Sequence, residues 1–157
     1  MLPVAFDPVK LATLYYFGDL GCWKLPKIAA DALELGFDGP ALRQLAGLQN
    51  PVASDIHPAD VDLAFREMGV AAPIPKDAAR LRLAKEAAIK AISGESNVFD
   101  QATHIKIRLC SWTEVPAELR RIVTLSEEAE HAPRSKWQEL ESELKNAMAE
   151  FLRIRDR

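Results

Sequence analysis

Cysteine is scarce in this chain, and its two copies, Cys22 and Cys110, lie far apart with neither a CxxC pair nor zinc-ligand spacing between them. That excludes a disulfide-stapled fold and a zinc ribbon, and leaves two reduced thiols, at least one of them buried. No apolar run approaches the roughly 20 residues that a membrane-spanning helix needs. No basic segment followed by an apolar stretch opens the chain, so no signal peptide is read, and the expected location is cytoplasmic. Positive charge is not in excess: 20 Lys and Arg face 23 Asp and Glu, a formal charge of −3. This balance argues against a dominant phosphate-binding surface and against docking on an acidic membrane. A Gly-x-Ser-x-Gly elbow and a glycine-rich phosphate loop ahead of a helix are both missing, so signature-borne acyl or nucleotide chemistry is not indicated. No feature implies a cofactor.

What is present suits a core. The 157 residues are 48% hydrophobic and 27% charged, enough for a single domain spanning 1–157 that needs neither disulfide nor metal. The charge is uneven. Residues 1–75 carry five Lys and Arg against nine Asp and Glu, and residues 76–157 carry fifteen against fourteen. The acidic front half includes Asp55, Asp60, Asp62 and Glu67 around one loop and helix start, a pattern that suits a basic partner.

The best-specified stretch is Pro26–Leu48, which reads as two helices joined by a tight turn. Pro26 fits a first helical turn, and Gly36 fits the left-handed residue just past a helix end. Phe37 then folds back, Asp38 is placed to cap the second helix, and Pro40 sits where a missing N–H costs nothing. Ile28, Ala32 and Leu35 form one apolar face, and Leu42, Leu45 and Leu48 the other.

Around this hairpin, Asp7-Pro8 opens a short apolar helix, and Cys22 and Trp23 are expected to anchor the following loop to the core. Pro58 starts a helix that Gly69 stops. An alanine-rich helix runs from an Asp77 cap to about Ser93, with Gly94 beyond it. Residues 98–113 are ambiguous: HIKIRLCSW alternates as a strand would, yet Val98, Ala102, Ile105, Leu109 and Trp112 step by four and three. With no second segment to pair with, a lone strand would leave its backbone groups unsatisfied, so helix is the better reading. Pro116 begins another helix that ends near His131, before Pro133. Ser135 and Gln138 form a capping-box pattern for the last helix, whose apolar row is Trp137, Leu140, Leu144, Ala147, Phe151 and Ile154. That row either docks on its own chain or forms a seam with a second copy, docking being the expected use. The sum is an all-α fold, a single irregular bundle of about seven helices.

Three functional classes compete. The spacing of Ala32, Gly36, Leu42 and Leu45 matches a DNA-binding helix-turn-helix over residues 26–48, with Arg43 and Gln44 as the only readers of base or phosphate. Charges across this stretch cancel, however, so nucleic acid is the runner-up. Glu128-x-x-His131 is a single copy of a metal-binding unit used in duplicate, and Asp100 and His104 stand at i, i+4. His131 is more simply a helix-end residue facing free carbonyls, and His57 a cap or surface residue, so no metal ligand is assigned. An enzyme whose site is assembled from distant residues is the third reading. Binding of a protein partner leads, with Asp55, Asp60, Asp62 and Glu67 as candidate contacts.

The runs ALELGFDGPALRQLAGL and VDLAFREMGV resemble a pattern recurring in small, uncharacterised bacterial helical proteins. LRRIVTLSEEAEHAP, with the W-x-x-L-x-x-x-L helix after it, is similar to the end of the same proteins. The resemblance implies an all-helical fold and bacterial origin and carries no catalytic residue. It is compatible with a toxin-neutralising or regulatory partner role.

Overall fold

A computed structural model describes residues 5–110 and 115–154. Among these residues no strand occurs, and eight α-helices account for the fold: α1 Pro8–Phe17, α2 Leu25–Glu34, α3 Pro40–Ala46, α4 Pro58–Glu67, α5 Lys76–Ile92, α6 Val98–His104, α7 Arg120–His131 and α8 Trp137–Arg153. The all-α expectation is met. Contacts divide the chain into two compact units, Met1–Arg80 and Leu81–Arg157, the division falling inside α5.

In the first unit several local signals act as read. Asp7 accepts the Lys10 N–H at 3.1 Å and starts α1, and His57 Nδ1 accepts the Ala59 N–H at 3.2 Å and starts α4. At the end of α2, Gly36 has φ +100°. The Gly36 N–H reaches the Leu33 carbonyl and the Phe37 N–H reaches that of Ala32, the paired closure that needs a left-handed residue. Phe37 then lies with its ring centroid 6.3 Å from that of Phe6.

The core of this unit is Leu25, Ala29 and Ala32 of α2, Ala41, Leu42 and Leu45 of α3, and Val61, Ala64 and Phe65 of α4, with Ala12 and Phe17 of α1. Two expectations need correction here. Leu35, the C-cap of α2, belongs to no core face and is 60% exposed. Trp23 does not anchor its loop: it is 65% exposed, stacked beside Gly21 with Lys24 Nζ 5.1 Å from its ring centroid.

In the second unit, α6, α7 and α8 pack on one another. The helix reading of 98–113 holds through Leu109, with Asn97 capping α6 through the Phe99 N–H at 2.8 Å; Trp112 and Thr113 lie outside the described residues. From Ile105 to Leu109 the helix widens into a π turn, closed by the Cys110 N–H on the Ile105 carbonyl at 3.1 Å. Ile105 and Leu109 stay buried in it.

The last helix docks on its own chain, burying Leu140, Leu144, Ala147, Met148 and Phe151. Trp137 and Ile154, the ends of the apolar row, remain over 40% exposed. The Ser135 capping box does not form. A 3₁₀ turn, Arg134–Lys136, leads into α8 instead, and α8 has no side-chain cap. Likewise α5 begins at Lys76, so Asp77 lies within its first turn and pairs with the buried Arg80 rather than capping.

Candidate functional site

The four carboxylates expected to face a partner have different fates. Glu67, the last residue of α4, turns back onto the start of α3. Its Oε1 accepts the Leu42 N–H at 2.9 Å and its Oε2 the Ala41 N–H at 3.2 Å. These are the free donors of the first turn, Pro40 having none. Gly39 makes this approach feasible, since a Cβ there would stand 2.0 Å from the Glu67 carboxyl carbon. Asp38, expected to cap α3, instead accepts the Gly39 N–H at 2.9 Å, so the cap comes from a residue 25 positions away.

Asp62 accepts a hydrogen bond from the Tyr16 hydroxyl. Tyr16, Tyr15 and Phe65 surround this contact, with both tyrosine rings 5.8 Å from Phe65 by centroid. Burial, then the Asp62 hydrogen bond and charge, push the Tyr16 phenol well above the usual tyrosine range. Tyr15 is raised by burial first, then by the charges of Asp62 and Cys22. Asp55 is exposed, with Oδ2 accepting the Val52 N–H at 2.9 Å and shaping the loop before α4. Asp60 lies in the first turn of α4, where a negative charge complements the helix dipole. Two of the four side chains therefore support the fold from within, and Asp55 and Asp60 remain toward the surface.

The proposed DNA readers lie on α3, only seven residues long. Arg43 is not presented outward alone. Its Nε and Nη2 donate to the two oxygens of Asp38, each at 2.8 Å. This fork holds the Asp38 carboxyl below its ordinary range and raises the guanidinium in turn. Gln44 is exposed.

What the sequence does not foretell is apolar. Cys22 Sγ lies 3.6 Å from the Pro51 carbonyl, which brings the loop before α2 beside the loop before α4. The residues that follow this contact on each segment of chain are Trp23, 65% exposed, and Val52, 58% exposed.

In the second unit, Glu128 and His131 line an open groove with Glu127, Pro133 and Lys136. No group of three or more His, Cys, Asp or Glu able to hold a metal ion occurs among the described residues. Asp100 lines a separate cleft between α6, α7 and the start of α8, and His104 is not among its lining residues. No helix among the described residues is long and apolar enough to cross a membrane. Compared with protein-family models, curated proteins and solved structures, the chain matches none.

Proposed function

We propose that this protein works without catalysis, by binding a protein partner through its first unit. The observation that carries this reading is two large exposed apolar side chains, Trp23 and Val52, each directly following a residue of the Cys22–Pro51 contact. Large exposed apolar side chains, tryptophan above all, are the usual energetic centres of protein interfaces. The same unit holds the whole formal charge of the chain: seven Lys and Arg against ten Asp and Glu over residues 1–80, a net −3. The fitting partner therefore offers an apolar pocket with a basic rim. Asp55 and Asp60 are the carboxylates placed to meet that rim. Neutralising a toxin and regulating another protein are the two roles this reading covers.

The test begins with a photoreactive residue in place of Val52, used to identify the partner in cells. The purified pair is then titrated by calorimetry. Trp23→Ala should weaken binding by at least about tenfold, and Asp55→Asn with Asp60→Asn should slow association at low salt. An affinity indifferent to both sets of changes would refute the reading. The helix-turn-helix alternative makes the opposite forecast: salt-sensitive duplex binding that Arg43→Ala abolishes. With Arg43 already paired to Asp38, no such binding is expected.

A further inference from the structure

We propose that the cleft between α6, α7 and α8 is a binding site for an organic ammonium ion. Its volume is about 280 Å³, near the lower end of small-ligand sites and suited to a group the size of choline or an alkylamine. Two aromatic rings, Phe99 and Trp137, line it with centroids 6.4 Å apart and planes inclined at 49°. The face of an aromatic ring carries negative quadrupole and attracts a soft cation; the Arg134 guanidinium already lies 5.7 Å from the Trp137 ring centroid, so an incoming ammonium competes with it there. The two ionisable groups of the lining are carboxylates, Asp100 and Glu130.

These carboxylates are not equivalent. Lys106, carried on the π turn, holds Glu130 at 2.6 Å and keeps its carboxyl below the ordinary range. Asp100 makes no ion pair with a described residue, and its backbone N–H is already turned to Asn97. Asp100 is thus the counter-ion that a ligand would meet. Thr103 and the buried Ser126 add hydroxyl oxygens to the wall, acceptors for an N–H-bearing head group. Trp137 is held in place by its own indole: Nε1–H donates to the Ala132 carbonyl at 3.2 Å, which fixes the ring although it is partly exposed. A neutral ligand would gain little from the carboxylate, and an anion would be repelled by it. This site is independent of the Trp23–Val52 surface, and either can fail without the other.

The experiment uses the full chain and nuclear magnetic resonance of the Trp137 indole N–H, assigned through Trp137→Phe. Choline chloride and Nα-acetyllysine amide are the probes, and 3,3-dimethylbutan-1-ol is the uncharged isostere of choline. A saturable shift with an ammonium probe, absent with the isostere and weakened about tenfold or more by Asp100→Asn, is expected. Glu127→Gln, which alters the neighbouring groove only, should change nothing. Tighter binding of choline assigns the site to a free small cation, and tighter binding of the lysine amide assigns it to a lysine side chain. Equal binding of the isostere, indifference to Asp100→Asn, or no saturable shift with millimolar ammonium would overturn the proposal.

Discussion

Removing the Glu67 carboxylate tests the central packing argument of the first unit. Helix α3 has a glycine at its N-cap and no side-chain cap of its own. Its first-turn donors, Ala41 and Leu42 N–H, depend on Glu67 at 3.2 and 2.9 Å. Loss of an ordinary cap costs about 0.5–2 kcal/mol, and hydrogen bonds to a charged acceptor lie near the upper end. Glu67→Ala should therefore destabilise the fold by about 2 kcal/mol. Gly39→Ala should do nearly the same for a linked reason. The new Cβ would fall within 2.4 Å of the carboxylate atoms. The Glu67 side chain can swing clear at little steric cost, but only by giving up both hydrogen bonds. The backbone at Gly39 adds no penalty, since φ 165° is extended and open to any residue.

The two changes should not add. With Glu67 already alanine, Gly39→Ala has nothing left to displace, so the double variant should lose about 2 kcal/mol and not the ~4 of independent sites. Urea denaturation followed by far-UV circular dichroism measures all four corners of the cycle. Additive losses would refute the displacement argument. A Glu67→Ala chain as stable as the parent would return Glu67 to the surface as a free partner contact.

Gly36→Val should cost about 1–2 kcal/mol, read from a melting curve, because a β-branched residue strongly disfavours the left-handed conformation that Gly36 adopts at φ +100°. Both tyrosines should ionise late: absorbance at 295 nm should show little tyrosinate at the ordinary pKa of about 10. The folded chain then holds protons that the unfolded chain releases, so stability present below that pH should fall as pH rises above it. Asp62→Asn should lower the Tyr16 transition, since it removes the charge that holds the phenolic proton. Removing residues from Ser135 onward strips Leu140, Leu144, Ala147, Met148 and Phe151 from the core of the second unit. Circular dichroism and sedimentation should then show that unit unfolded. A truncated monomer melting as cooperatively as the intact chain would recast α8 as an interaction arm.

Sequence by itself determined the elements that depend on neighbours a few residues apart. The Asp7 cap, the closure at Gly36, the starts at Pro8 and Pro58 and the all-helical class were legible because capping, left-handed turns and helical periodicity act within about one or two turns of chain. The 98–113 ambiguity was resolved toward helix by the same accounting, since no second segment offered backbone groups to a strand. Tertiary structure alone decided how side chains were used. Asp38 was nearest to the α3 terminus, yet Glu67 caps it, because α4 brings a carboxylate to those N–H groups from 25 residues away. Trp23, Leu35 and Trp137 carried the apolar character of core residues and ended substantially exposed. Whether an apolar side chain is buried depends on which other element arrives over it, and that is not written in its own helix. For the same reason Phe99, Asp100 and Trp137 share one cleft although more than 35 residues separate the first from the last. Only packing brings them together.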